Sequence, residues 1–90
     1  MTYKVGDKVR VVSTHWGTEE IDCVDAAGEL LRGQTGTVEH ILQQPVVEGA
    51  PYSGALQYFV RTKNRSLYGN GTHAFFGDEL EHAEISEETI

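Results

Sequence analysis

The sequence predicts an all-β protein, a single five-stranded barrel with two long loops. Three observations carry that prediction. Five short segments alternate apolar and polar residues or gather β-branched and aromatic ones: Lys8–Thr14, Gly33–Gln43, Leu56–Lys63, Thr72–Phe76 and Leu80–Ala83. No long helix is visible between them. The intervening stretches hold turn chemistry, among them GNGT and the loop QPVVEGAPYSGA with both prolines. Ninety residues suit one domain, which at this size hides only about 60% of its unfolded surface. A closed barrel suits such a chain because closure removes exposed sheet edges. Residues 1–84 are assigned to the barrel and 85–90 to an acidic C-terminal tail.

Each element has its own reason. In KVRVVST, Val9 and Val11 share one face, and Lys8, Arg10 and Val12 the other. Val5-Gly6-Asp7 ahead of it reads as a turn, with Val5 packed on the core. The connection 15–33 is long and acidic, with Ile21 and Val24 as its anchors. Within it, Asp25 to Leu31 reads as a short helix, Asp25 its N-cap and Leu30 and Leu31 facing inward, against the cost of Gly28. In GQTGTVEHI, Gly33 and Gly36 turn the chain, and Val38 and Ile41 enter the core. Their three-residue spacing breaks alternation and predicts a bulge near Glu39-His40. In LQYFVRTK, Leu56, Tyr58 and Val60 face one way, and Gln57, Phe59 and Arg61 the other.

Composition narrows the function classes. Hydrophobic residues make up 39% of the chain, and no apolar run approaches a membrane span. The start MTYKVGDKV has no apolar leader, and one cysteine, Cys23, forms no internal disulfide, so a cytoplasmic protein is expected. The net charge is −7, unevenly spread. Residues 15–33 carry five acids against Arg32, and residues 67–90 carry six acids and no Lys or Arg. Such a chain repels nucleic acid at long range.

The run of VGDKVRVV, GQTGTVEHI, YFVRTK and FFGDELE resembles the small SH3-like barrels, in particular the KOW-like type. The match covers about half the chain, and the order and spacing of the pieces carry it. The loops 15–33 and 44–55 are longer than usual for such barrels. The resemblance implies the fold, and it implies function loosely: such barrels occur in ribosomal and transcription proteins, in enzyme accessory subunits and in phage and bacterial proteins.

GQTGTV lacks the Gly-Lys-Ser/Thr and the following helix of a phosphate loop, so it reads as architecture. His15, His40, His73 and His82 lack zinc-ligand spacing, and no metal or cofactor is expected. Cys23 has acidic neighbours in Glu20, Asp22 and Asp25, the wrong setting for a nucleophile. Clustered carboxylates on loops read as a solvated face, and no enzyme activity is expected. Lys8, Arg10, Arg61 and Lys63 form a basic strip beside Phe59, which would suit nucleic acid. Trp16, Tyr52, Phe59, Tyr68 and one of Phe75 and Phe76 exceed what a five-strand core needs, and the first four form the candidate partner-binding set. The leading expectation is a non-catalytic accessory module that binds a protein through long loops and exposed aromatics. The alternative is a nucleic-acid or ribosome-associated module that uses the basic strip.

Overall fold

The computed structural model describes residues 2–16 (Trp16 by its backbone only), 19–50, 52–67 and 71–83. Seven strands follow in chain order: β1 (Lys8–Val11), β2 (His15–Trp16), β3 (Glu19–Glu20), β4 (Thr35–Gln43), β5 (Leu56–Arg61), β6 (His73–Phe76) and β7 (Leu80–His82). A 3₁₀ turn, Gly77–Glu79, links the last two. Five strands form one antiparallel sheet in the order β6-β5-β4-β1-β7. β2 and β3 pair separately as a small ribbon that the sequence did not announce. No helix among the described residues is long and apolar enough to cross a membrane.

The connection between β6 and β7 dictates the sheet's shape. In a flat sheet, strands four places apart lie about 19 Å from each other. The chain from Phe76 to Leu80 is a 3₁₀ turn, which rises only about 2 Å per residue. The sheet therefore rolls until its two edges approach. It does not close, because no ladder joins β6 to β7 among the described residues. Part of the reason is chemical: Phe76 N–H, on the facing edge, donates to Glu79 Oε1 at 2.8 Å. Tyr3 ties β7 to β5 instead. Its hydroxyl donates to Leu80 O at 2.8 Å, its N–H donates to Tyr58 Oη at 3.3 Å, and the two tyrosine rings meet edge to face at 5.2 Å.

Alternation places the core as expected. Val9, Val11, Tyr58 and Val60 are buried on the inner face with Val38, Phe75 and Leu80. Burying each such apolar side chain contributes roughly 1.5–3 kcal/mol. The β4–β5 register passes from Val38↔Val60 to His40↔Phe59, so Glu39 is the extra residue of the bulge that the Val38–Ile41 spacing predicts.

Several expectations are corrected. Among the described residues of 15–33 no helix forms: Asp25 to Leu31 is a turn closed by a Val24–Leu30 bridge, with Gly28 at φ +84°, outside the helical region. Leu31 is buried, but Leu30, Ile21 and Val24 are substantially exposed. Val5 is 63% exposed, and Tyr3 takes the core position at the chain entry. Phe75 and Phe76 are both buried, since Tyr52 covers Phe76 from the outside. Gly36 does not turn the chain through a positive φ, as Gly33 does at +96°. Its role is close approach: a Cβ there would lie 2.5 Å from Arg61 O and 2.7 Å from Val60 Cγ1. Gly36→Ala is accordingly expected to lower stability by about 1–3 kcal/mol. Urea denaturation measures this, and an unchanged midpoint would contradict the packing assigned to Gly36.

Candidate functional site

One carboxylate organises the part of the long acidic connection that leads from β3 to β4. Asp25 is buried to 1% exposure. Its Oδ1 accepts the N–H groups of Ala27 at 2.8 Å and Glu29 at 3.0 Å, which bends the chain into its turn. Its Oδ2 accepts Gln34 Nε2 and Asn64 Nδ2, each at 2.7 Å. Gln34 precedes β4, and Asn64 follows β5. The neighbouring Ala26 N–H donates to Arg65 O at 3.1 Å. One side chain thus binds the insertion to both central strands of the sheet. Burial pushes the Asp25 pKa up, but the hydrogen bonds from Gln34, Asn64, Glu29 and Ala27 outweigh it and hold the carboxyl well below the usual range.

A second buried carboxylate anchors the start of the same connection. Glu79 Oε2 accepts His15 N–H at 2.8 Å, while Oε1 holds Phe76 N–H. Burial pushes the Glu79 pKa up, against the lowering effect of those two N–H groups and of His15. Thr14 closes the ribbon's base: its carbonyl oxygen accepts Ile21 N–H at 2.6 Å, and its hydroxyl donates to Ile21 O.

Tyr52 brings the second long loop to this point. Its φ of +60° is unusual for a residue with a side chain. The ring lies flat on Phe76, with centroids 3.8 Å apart and planes at 2°. The hydroxyl sits 3.0 Å from His15 Nδ1 and 3.5 Å from Asp78 Oδ2. Burial raises the Tyr52 pKa, and Asp78 and Glu79 push it the same way.

Between these anchors lies a cleft of about 410 Å³. β6 forms one wall, and Cys23, Val24 and Leu31 of the insertion form the other. Leu67, 58% exposed, stands at the rim, and His15 and Glu79 line the cleft as well. No Lys or Arg lines it among the described residues.

The residues singled out in the sequence are placed differently from one another. Tyr52 packs beside the cleft's His15 and Phe76 as a support, with its ring face and hydroxyl both engaged. Phe59 is half-buried against His40 at 5.5 Å. Tyr68 and the Trp16 side chain lie outside the described residues. The basic strip is largely paired: Arg10 with Glu81 at 2.7 Å, Arg61 with Glu39 at 2.8 Å and Lys63 with Glu29 at 3.3 Å. Lys8 Nζ donates to Thr37 Oγ1 at 2.6 Å. Among the described residues no three His, Cys, Asp or Glu side chains converge as a metal site. The sequence reading missed Asp25, Gln34 and Asn64 as a unit, and Leu67 as the cleft's rim. The one available signal was Asp25 at the head of a turn with glycine in it. No protein-family model, curated protein or solved structure matches the chain.

The Asp25 network has a pH signature. The folded carboxyl titrates below its unfolded value of about 4. Its stabilisation is therefore complete above that pH and is lost as pH falls through the lower folded value. Asp25→Asn is expected to lower stability at pH 7, and the gap to the wild type should narrow steadily below pH 4. Urea denaturation across pH 7 to 2 measures the gap, and a gap independent of pH would contradict the assignment.

Proposed function

We propose that the chain is a non-catalytic protein-binding module built on an SH3-like barrel of the KOW-like type, and that it holds an apolar side chain of its partner in the cleft between β6 and the insertion. The observation that carries the reading is the cleft itself. Its volume of about 410 Å³ falls in the range of about 300–1,000 Å³ typical of ligand pockets. Leu67 and Val24 offer exposed apolar surface at its edge. Both walls are held by buried carboxylates, so the site is pre-formed, which lowers the ordering cost of binding. The SH3-like reading is supported by a strand order in which the last strand returns to the first, and by the quoted motifs falling on β1, β4, β5, β6 and β7 in sequence.

The non-catalytic reading is supported by the commitment of Glu79, whose two oxygens both receive backbone N–H groups. The nucleic-acid alternative is weakened by the ion pairs of Arg10, Arg61 and Lys63 and by the net charge of −7.

Selection of random eight-residue peptides displayed on phage, with the immobilised protein as bait, tests the reading. The selected peptides should share an apolar residue, and Leu67→Glu should weaken their binding at least ten-fold without a change in fold. Peptides indifferent to Leu67→Glu and to Val24→Glu would discard the cleft. Binding of a single-stranded 20-mer oligonucleotide that is tight at 50 mM salt and lost in Arg61→Glu would favour the alternative.

A further inference from the structure

The rolled sheet has two edges, and the chain treats them differently. The β7 edge is covered by Tyr3, whose hydroxyl takes Leu80 O and whose ring lies 4.7 Å from that of His82. On the β6 edge no described residue plays that part at Ala74, which is exposed.

The ladder phase shows which groups this edge presents. Gln44 N–H donates to Ala55 O at 2.8 Å at the end of the β4–β5 pair. In an antiparallel ladder, hydrogen-bonded pairs recur every second residue. Gln57 and Phe59, opposite Leu42 and His40, therefore turn their N–H and C=O groups toward β4. Their partners across the other side, Phe76 and Ala74, must then turn theirs away from β5, to the open edge. Phe76 confirms the phase independently, since its N–H points outward to Glu79 Oε1. Glu79 thus caps the edge at Phe76, and one step earlier Ala74 turns its N–H and C=O to the same edge with no cap among the described residues. An edge with a free donor and acceptor is a template for another strand. Here it borders the cleft, which Ala74 and Phe76 both line.

Charge selects the kind of strand. The protein carries −7, and the cleft has no lining Lys or Arg among the described residues. At the Phe76 end stands Asp78, its side chain 60% exposed and 3.7 Å from His15 Nε2. Its contacts to His15 and to the Tyr52 hydroxyl leave most of its surface in solvent.

We infer that the partner segment docks as an added β-strand on β6, exchanging backbone hydrogen bonds with Ala74, placing an apolar side chain in the cleft and a Lys or Arg beside Asp78. The inference rests on the cleft being the binding site. Because strand side chains alternate, the apolar and the basic residue fall at fixed offsets from the residue opposite Ala74. The Glu79 cap limits the added strand to a few residues.

The probes are the phage-selected peptides, resynthesised with single backbone N-methylations and with each Lys or Arg replaced by Gln. Strand addition requires that one N-methylated position lose binding at least ten-fold while the positions on either side lose little. It also requires that Ala74 amide exchange slow at least ten-fold on saturation. The charge assignment requires that Asp78→Asn weaken the basic peptide three- to ten-fold and leave its Gln analogue unchanged. Binding that is lost in Leu67→Glu but shows a flat N-methylation scan and unaltered Ala74 exchange would overturn strand addition and leave the cleft standing. Selected peptides without Lys or Arg would overturn the charge assignment. Binding insensitive to both Leu67→Glu and Val24→Glu, or no peptide selected at all, would overturn the cleft and the strand together.

Discussion

The buried Asp25 carboxylate fixes the connection between β3 and β4 and, with it, one wall of the cleft. The five-stranded sheet is ordinary in its making: alternating valines and tyrosines fill a rolled core. The connection 15–33 has no such means of support. Its apolar residues Ile21, Val24 and Leu30 stay substantially exposed, and among the described residues only Cys23 and Leu31 pack on the core. What holds it is a carboxylate that takes two N–H groups of its own turn and two side-chain amides from beside the central strands. A buried charge is costly unless its hydrogen bonds are complete. Here four donors make it complete, and the same four connect three separate segments.

Glu79 works at the other end by the same logic. One oxygen takes the start of the insertion and the other takes the last N–H of β6. The opposite pKa directions of the two carboxyls follow from their surroundings. Asp25 receives four donors that outweigh its burial, whereas Glu79 receives two that do not. Between these two fixed points the insertion stands away from β6, and the space left is the cleft. Tyr52 braces the Glu79 end by lying on Phe76 and reaching His15, in a backbone conformation that costs a non-glycine residue on the order of 1–2 kcal/mol.

The parts of this fold legible in the sequence are those where one physical rule acts alone. Period-two alternation locates β1 and β5 and their buried faces, because a half-buried strand leaves no other choice. The break between Val38 and Ile41 located the bulge for the same reason. The insertion was misread because two rules competed. Asp25 before a run of Ala, Glu and Leu satisfies a helix N-cap, and the same carboxylate equally satisfies a tight turn. Gly28, at positive φ, decided for the turn, and the amides that complete Asp25 come from residues 9 and 39 positions further on, beyond any local pattern. The contacts of Tyr52 are illegible for a similar reason: nothing near it in sequence announces that Phe76 and His15 will receive it. The strip of Lys8, Arg10, Arg61 and Lys63 was read correctly as outward-facing, but its neutralising partners Glu29, Glu39 and Glu81 lie on other segments.

Amide hydrogen exchange followed by NMR in Asp25→Ala tests the dependence on Asp25 most directly. The amides of Ala27 and Glu29 should be protected in the wild type and exchange freely in the variant, together with Ala26 and Leu31. The amides of β1, β4 and β5 should keep most of their protection. If Ala27 and Glu29 are already unprotected in the wild type, or if the insertion keeps its protection without the carboxylate, then Asp25 does not organise the cleft.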